Sequence, residues 1–335
     1  MLSCLLVAML LLLLLPVGAV GGEAPPRLYV GGMTFGVRYL TDGILVVGYC
    51  DVGEGRQAKN PAKEAGIKQG DCILSVNGKK VETASELAAV INASGGNTLA
   101  LTVRRGGEEN TVKLTPVPCK KDGRYRTGLW VRDSGAGIGT VTFISEDGCH
   151  FAGLGHGICD GASGCLVPLG KSTVMDVNLS GITRGAVGAP GELKGHFGAN
   201  KTGALFLNTP CGVFGSFAEK PSSTGELLPI GTRDELHAGK ATCRCTVDGE
   251  GPREYSIEIS DINKKAEGNK CFTVKITDKA LLEKTGGIVQ GMSGSPIMQD
   301  GKLVGAITHV LIGDPTTGYG IFVENMLANI PRALK

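Results

Sequence analysis

Aromatic residues and unbalanced charge are both scarce in this chain of 335 residues. Phenylalanine, tryptophan and tyrosine together make up 5% of it, whereas 53 residues are glycine. This combination favours a turn-rich β protein over a helical bundle. The net charge is only +2 and no block of basic residues occurs, so nucleic acid and anionic membrane surfaces are not expected as partners.

Disorder and two kinds of ligand site are also not indicated. The glycines lie between apolar runs, and a hydrophobic content of 42% in a chain of this length is enough for two packed domains. Cys243 and Cys245 form only a C-x-C, with no second pair at the spacing of a zinc site. The glycine-rich segment 185–198 has no Lys-Ser/Thr at the spacing of a P-loop. We therefore expect neither a bound metal ion nor a nucleotide.

The first 22 residues predict an export segment. Residues 5–15 are an unbroken apolar run, and Val17 and Ala19 fit the −3 and −1 positions of a cleavage site. No Lys or Arg precedes Arg27, so the usual positive n-region is missing, and an uncleaved anchor over residues 5–22 is the alternative. In both cases the rest of the chain is expected to be exported. Disulfides become possible outside the reducing cytosol.

A compact module is predicted over residues 28–118. Asn77-Gly78 marks a hairpin turn after an apolar run, and residues 84–92 carry apolar residues at helical spacing. Residues 65–78 read A-G-I-K-Q-G-D-C-I-L-S-V-N-G, a run that closely resembles a PDZ domain. The resemblance implies a groove beside the helix, in which a peptide ligand adds a strand to the sheet edge.

The end of this groove is assigned by the same resemblance. Phe35, Gly36 and Val37 match the apolar-Gly-apolar loop whose N–H groups hold the C-terminal carboxylate of a peptide. The alternative is that these three residues form only a hairpin and core. The sequence leaves open whether the ligand is a C-terminal peptide, an internal segment or part of this chain.

A serine between glycines lies near the end of the chain. The segment reads Gly291-Met292-Ser293-Gly294-Ser295-Pro296, and glycine lets the backbone approach a substrate carbonyl and direct N–H groups at the oxyanion. Because G-x-S-G resembles the turn of the chymotrypsin clan, Ser293 is the predicted nucleophile, with the N–H groups of Gly291 and Ser293 as the oxyanion hole. Ser295 is the alternative nucleophile, and a glycine–serine hairpin without chemistry is the other interpretation.

The matching base is a histidine upstream. His156 lies in Gly153-Leu154-Gly155-His156-Gly157, on a glycine-rich loop that presents its ring openly. The pair predicts a serine protease in which His156 takes the proton of Ser293. His309, sixteen residues after the serine, is the alternative base, although a histidine on a strand is more often a packed residue.

The second domain, predicted over residues 125–335, follows a polar linker at 120–124. Short apolar runs alternate with turns, which favours a β-barrel or sandwich. Three segments, 128–134, 155–160 and 285–297, resemble the peptidase domain of the stage IV sporulation protein B family. With the PDZ module in front, this resemblance covers nearly the whole chain.

The family resemblance implies a fold and a biological setting. The expected fold is mostly β with short helices: an α+β PDZ domain followed by a chymotrypsin-like β-barrel serine peptidase that needs no cofactor. The implied enzyme is secreted by a forespore and acts between the forespore and mother-cell membranes, free or anchored by its N-terminal segment, its only expected membrane contact. The implied substrates are a membrane-associated regulator of an intramembrane protease, whose cleavage activates a late sigma factor, and the chain itself.

The acid of the triad is the least determined residue. Asp278 matches the candidate acid of the family and gives the order His, Asp, Ser, with a carboxylate to hold the Nδ1–H of the base. Its interval of fifteen residues to Ser293 is short for a chymotrypsin-like enzyme, and a helix N-cap is the other interpretation. Asp160, Asp176 and Asp314 remain alternatives.

Two other functions are weighed against the peptidase. A non-catalytic scaffold, in which a PDZ domain joins a degenerate protease fold, is disfavoured because both Ser293 and His156 are present. A heat-shock-type PDZ protease of the periplasm is disfavoured because there the protease usually precedes the PDZ domain, whereas here the order is reversed.

Overall fold

The computed structural model describes residues 26–53 and 58–330. The expected export segment at 1–22 lies outside these ranges. Within them, no helix has both the length and the apolar character needed to cross a membrane. All ten cysteines of the described ranges are free thiols.

Strands dominate the described chain. They are β1 (Arg27–Val30), β2 (Thr34–Tyr49), β3 (Cys72–Val76), β4 (Lys79–Lys80), β5 (Leu99–Arg105), β6 (Glu108–Leu114), β7 (Val117–Pro118), β8 (Tyr125–Arg126), β9 (Leu129–Ile144), β10 (His150–Gly153), β11 (Leu169–Thr183), β12 (Gly191–Thr209), β13 (Gly212–Phe217), β14 (Leu227–Pro229), β15 (Gly239–Cys245), β16 (Arg253–Ser260), β17 (Phe272–Ile276), β18 (Val289–Gln290), β19 (Pro296–Gln299), β20 (Lys302–Leu311) and β21 (Asp314–Phe322). The helices are α1 (Pro61–Glu64), α2 (Ala84–Ala93), α3 (Lys279–Thr285) and α4 (Val323–Ala328).

Six antiparallel strands close the first barrel, in the order β2, β9, β10, β13, β12, β11 and back to β2. Its interior is aromatic: the ring of Phe151 stacks on Phe217 with centroids 4.3 Å apart and meets the edge of Phe35 at 5.6 Å. Each such buried side chain contributes roughly 1.5–3 kcal/mol of hydrophobic stabilisation. This core holds β2 and β9 together in the barrel.

A second closed barrel follows, with the strand order β15, β16, β17, β21, β20, β19. The period-two pattern is clear in β16, where Tyr255, Ile257 and Ile259 point inward between exposed neighbours. Phe272 and Phe322 pack across the interior with ring centroids 5.4 Å apart. The predicted mostly β fold, with a PDZ domain and a chymotrypsin-like barrel architecture, is confirmed.

The PDZ module packs α1 and α2 on a sheet formed by β3 to β6 and the second half of β2. The predicted hairpin turn is present, since Asn77 and Gly78 both have positive φ, of 50° and 76°, as a two-residue turn between β3 and β4 requires. Helix α2 begins after Thr83, whose hydroxyl accepts a hydrogen bond from the Glu86 N–H.

Strands β2 and β9 each belong to both modules. Residues 34–40 of β2 pair with 134–140 of β9 in the first barrel, and residues 45–49 pair with 129–132 in the PDZ sheet. Strand β1 and residues 34–40 of β2 pair with strand β9 of the first barrel, although they lie within the range 28–118 predicted for the PDZ domain; the predicted domain boundaries stay a prediction. The predicted linker at 120–124 is the turn of a small hairpin formed by β7 and β8.

Candidate active site and peptide groove

The predicted nucleophile lies on a tight turn between β18 and β19. Gly291 and Gly294 have φ values of +101° and +94°, in the left-handed region that favours glycine. A Cβ atom on Gly294 would overlap the Thr140 carbonyl oxygen and the Leu154 nitrogen, both in the first barrel. The turn therefore lies directly against that barrel, and only glycine fits at this position.

Two buried threonines of β9 hold this turn in place. The Thr140 hydroxyl donates to the Gly291 carbonyl at 2.7 Å, and the Thr140 N–H donates to the Ser293 carbonyl at 3.1 Å. The Thr142 hydroxyl donates to the Gly294 carbonyl at 2.8 Å. Sequence reasoning missed both threonines. The available signal was the Thr-Val-Thr run at 140–142, which puts two hydroxyl side chains on a buried part of the strand.

The backbone of the turn is compatible with the predicted oxyanion hole. The N–H of Met292 donates to Val289 and that of Gly294 donates to Ile307, at 3.0 and 2.7 Å. Among the loop hydrogen bonds of the described residues, the N–H of Ser293 does not appear as a donor. The role of the Gly291 and Ser293 amides stays a prediction. Ser295 is fully buried and its hydroxyl donates to the Met292 carbonyl at 2.6 Å, which disfavours it as a nucleophile.

His156 reaches the same interface from the first barrel. It follows β10, and a Cβ on the preceding Gly155 would lie 2.9 Å from the Thr308 side chain in β20. The ring Nδ1 is 2.9 Å from the Gly157 carbonyl. Because a carbonyl only accepts, Nδ1 carries the proton and Nε2 is the basic nitrogen of the neutral ring. Burial lowers the pKa of His156 below its usual value.

The serine hydroxyl and the two histidines converge between the barrels. Ser293 donates its hydroxyl to the Thr308 carbonyl at 2.7 Å. The next residue, His309, lies with its ring centroid 5.0 Å from that of His156. Proton transfer to His156 would require the Ser293 hydroxyl to turn away from the Thr308 carbonyl. The structure thus brings together the predicted nucleophile, the predicted base and the alternative base.

His309 is unusual in its surroundings. Its Nδ1 is buried and has no hydrogen-bond partner among the described residues. Burial, helped by the nearby His156 and Lys270, lowers the pKa of His309 to about 4. The ring is therefore neutral at neutral pH, and it packs against the base without adding charge.

The structure does not bring Asp278 to His156. Asp278 is the N-cap of α3: one carboxylate oxygen accepts from the Leu281 N–H at 3.0 Å, and the other lies 3.5 Å from the Ser256 N–H. This is the cap that the sequence left open as the other interpretation, and a catalytic role for Asp278 stays a prediction.

The alternative acids are engaged elsewhere. Asp160 lies 2.7 Å from the Arg132 Nε and accepts from the Ala162 and Ser163 N–H groups. Burial works to raise the pKa of Asp160, but these hydrogen bonds and Arg132 outweigh it and hold the pKa below its usual range. The carboxylate of Asp176 accepts from Asn200, and that of Asp314 accepts from two threonine hydroxyls of its own turn.

A groove of about 1350 Å³ runs along α2 in the PDZ module. Leu87 and Ile91 line it from the helix, and Leu129 and Val131 line it from β9. The β7–β8 hairpin forms its remaining side. The PDZ resemblance implies a peptide ligand in this groove. The strand that borders the groove is β9, however, and not the segment at 35–37 that the sequence predicted.

The predicted carboxylate loop of the groove, Phe35, Gly36 and Val37, is corrected by the structure. Gly36 lies within β2 and pairs with Ile138 on one side and Met175 on the other, so both edges of the strand are occupied. Phe35 is buried against Phe151 in the first barrel. No ligand strand can pair with this part of β2, because it lies within the first barrel with both edges occupied. Strand β9 borders the groove instead.

Within the described residues, no cluster of three or more His, Cys, Asp or Glu side chains has an arrangement that could hold a metal ion. The reactive groups that the structure places in this region are the hydroxyl of Ser293, the imidazole of His156 and backbone N–H groups of the turn. Such a set performs acyl transfer: the base takes the hydroxyl proton, the oxygen attacks a carbonyl carbon, and the amides stabilise the resulting oxyanion.

Comparisons with known proteins agree with both modules. A model described as SpoIVB peptidase S55 matches residues 123–327, and a PDZ domain model matches 31–115. Serine protease HTRA1 of Xenopus laevis is 45% identical over 56 residues, 17% of this chain and 12% of that protein. A probable periplasmic serine endoprotease DegP-like of Bartonella henselae is 39% identical over 71 residues, 21% of this chain and 14% of that protein.

Solved structures give two further similarities. The Rv3671c protease of M. tuberculosis in its active form shares 13% identity, with a TM-score of 0.34, over 58% of this chain and 72% of that one. The PDZ domain of an SdrC-like protein from Listeria monocytogenes shares 20% identity, with a TM-score of 0.22, over 27% and 87%. The chain thus spans less than a sixth of the length of the two curated relatives named above.

The peptidase model matches more than half of the 335 residues and includes His156 and Ser293. The PDZ model covers the module that carries the groove. The chain belongs to the SpoIVB peptidase S55 family and carries an N-terminal PDZ domain.

Proposed function

We propose that this chain is an exported serine endopeptidase that cleaves a protein regulator, and itself, during endospore formation. The observation that carries the catalytic part is the position of Ser293 beside the two histidines: its hydroxyl donates to the Thr308 carbonyl, and the ring of the next residue, His309, packs against that of His156 with centroids 5.0 Å apart. The export, the sporulation setting and the membrane-associated regulator are supported by the family membership and by the apolar run at 5–15.

The proposed reaction uses the residues of this chain alone. His156 Nε2 takes the proton of Ser293 as its Oγ attacks the substrate carbonyl carbon, and the oxyanion faces the Gly291 and Ser293 N–H groups. The protonated His156 then gives its proton to the leaving amine. Water, activated by the same base, releases the acyl group from Ser293. One oxyanion donor is typically worth about 3–4 kcal/mol in the transition state.

Intact mass over time, measured on the purified chain, tests this function. We expect discrete fragments from the wild type and none from Ser293→Ala, with the fragment ends giving the cleavage preference. Ser295→Ala is the matched control and should fragment like the wild type if it folds. Equal fragmentation of wild type and Ser293→Ala would show that another residue or a contaminant cleaves the chain.

A non-catalytic scaffold is the second candidate. The observation in its favour is that the Ser293 hydroxyl donates to the Thr308 carbonyl and not to His156. A fluorophosphonate probe separates the two functions, because it labels a serine only when its hydroxyl is activated. Labelling of the wild type but not of Ser293→Ala supports the peptidase, and an unlabelled, folded wild type supports the scaffold.

A further inference from the structure

Two buried thiols, one from each barrel, lie against the same loop. Cys211 is in the turn between β12 and β13 of the first barrel, and Cys271 directly precedes β17 of the second barrel. They are only 3% and 1% exposed. The Cys211 thiol donates to the Glu267 carbonyl at 3.7 Å, and the Cys271 thiol donates to the Gly268 carbonyl at 3.2 Å. The two sulfur atoms therefore contact neighbouring peptide groups.

The C-terminal helix α4 brings the same two thiols together from another side. The Asn325 amide donates to the Cys271 sulfur at 3.3 Å, and the side chain of Asn329, just after the helix, contacts the Cys211 thiol. Asn329 Nδ2 donates in turn to the Asn325 carbonyl at 2.9 Å. Burial raises the pKa of the Cys271 thiol, and the nearby Cys211 raises it further. One loop and one helix thus border both sulfur atoms.

The surroundings of Cys271 can accommodate the loss of its hydrogen. Its thiol donates to the carbonyls of Ala266 and Gly268, and the Asn325 amide donates to the same two carbonyls at 3.0 and 2.9 Å. These carbonyls therefore keep a donor when the thiol hydrogen is removed, so no buried acceptor is left without a partner there. Glu267, whose carbonyl accepts from the other thiol, is an exposed residue that water can reach.

The pair lies next to the interface that carries the predicted catalytic residues. Asn269 Nδ2 donates to the Pro210 carbonyl at 2.8 Å, which ties together the segments that hold the two cysteines. The Asn269 carbonyl accepts from the Thr308 hydroxyl at 2.8 Å, and the Thr308 carbonyl accepts from the Ser293 hydroxyl. A covalent bond between the cysteines therefore joins the barrel of His156 to the barrel of Ser293.

We propose that Cys211 and Cys271 form a disulfide between the two barrels once the chain has left the reducing cytosol. Two S–H bonds break and one S–S bond forms. The two electrons and two protons reduce the disulfide of a thiol–disulfide oxidoreductase or of glutathione to two thiols. Because both cysteines are buried in the folded chain, this exchange takes place while the chain folds. The inference rests on the proposed function only in taking the chain as exported.

Refolding followed by peptide mapping tests this inference. The full chain carries Ser293→Ala to prevent self-cleavage, and it is refolded from urea in a mixture of reduced and oxidised glutathione. We expect digestion without reductant to give a cross-linked pair of peptides that contains Cys211 and Cys271 and is lighter by two hydrogen atoms than the two free peptides. The oxidised chain should also unfold at a higher urea concentration than the reduced chain. The bond closes a long loop that includes β13 to β16, which removes entropy from the unfolded chain.

Single substitutions locate the bond. Cys211→Ala and Cys271→Ala should each abolish the cross-linked peptides and the difference in urea midpoint between oxidised and reduced protein. Cys149→Ala, at an exposed cysteine between β9 and β10, is the matched control and should retain both. If either alanine variant does not fold, the peptide map of the chain that keeps all its cysteines is decisive.

A folded product in which the two cysteines stay free, or pair with other cysteines, would overturn the inference. Fragmentation of the chain that keeps its serine is measured separately. Fragmentation without the cross-link refutes only the disulfide, and a cross-linked but inert chain refutes only the peptidase.

Discussion

Replacing Thr140 by valine tests whether β9 positions the catalytic turn. Thr140 is completely buried, its hydroxyl donates to the Gly291 carbonyl, and its N–H donates to the Ser293 carbonyl. Valine has nearly the same shape as threonine, so the substitution removes one hydroxyl and leaves the packing and the backbone hydrogen bond in place. The Gly291 carbonyl then loses its side-chain donor while staying next to the barrel wall.

The expected magnitude follows from that single lost hydrogen bond. A buried acceptor left without its partner costs about 1–3 kcal/mol. If the whole cost falls on the position of the Gly291 and Ser293 amides, the rate of acylation drops by about 5- to 150-fold, since each 1.36 kcal/mol is a factor of ten. If it falls on the fold instead, the free energy of unfolding decreases by the same 1–3 kcal/mol.

Two measurements and one control decide between these outcomes. The rate of fluorophosphonate labelling of Ser293 reports on the turn, and urea unfolding followed by circular dichroism reports on the fold. Thr140→Ser keeps the hydroxyl and should retain most of the labelling rate. A Thr140→Val variant with unchanged labelling rate and unchanged unfolding free energy would show that the hydrogen bond to Gly291 does not position the turn.

Four further predictions concern the interface between the barrels and the N-cap of α3. Gly294→Ala should destabilise the chain by more than about 2 kcal/mol in urea unfolding, because its Cβ overlaps backbone atoms of the first barrel at a positive φ, while Gly313→Ala, in open space, should be near neutral. The acid limb of the pH–rate profile should lie below pH 6.5, since burial lowers the pKa of His156; a midpoint above 6.5 would contradict this. The folded-state pKa of His309, about 4, lies below its unfolded value, so the stability that His309 contributes is present above about pH 6.5 and is lost as the pH falls toward 4. His309→Gln should therefore flatten the plot of unfolding free energy against pH between these two values. Asp278→Ala should cost about 0.5–2 kcal/mol of stability through the lost cap of α3, and Asp278→Asn should retain it.

The features that the sequence predicts well are local ones. Ser293 and His156 lie among glycines, and the neighbouring residues alone specify those turns. Asn77-Gly78 likewise specifies its hairpin within two positions. The PDZ and peptidase modules were identifiable for the same reason, since their motifs are contiguous. A short stretch of chain is enough to specify each of these structures.

The features that it does not predict depend on strand pairing over long distances. Thr140 contacts a carbonyl 151 residues further along the chain, and no local pattern signals that contact. Gly36 lies within β2 and Gly128 directly precedes β9, each with an apolar residue beside it, so the sequence alone does not determine which of the two strands borders α2. That choice depends on the pairing of β2 with β9 and β11, which only the closed barrel settles.

Because β2 and β9 belong to both modules, cutting this chain at one point is not expected to give two independent domains. A cut in the β7–β8 hairpin separates the two modules in the sequence but not in space, because the PDZ groove would lose its β9 edge and the barrel would lose half of β2. Grafting this PDZ domain onto another protease, or replacing it with a foreign one, would need both strands to be moved together. The two modules are therefore expected to be kept or exchanged together, in natural variants and in engineered ones, although their sequence motifs are separate.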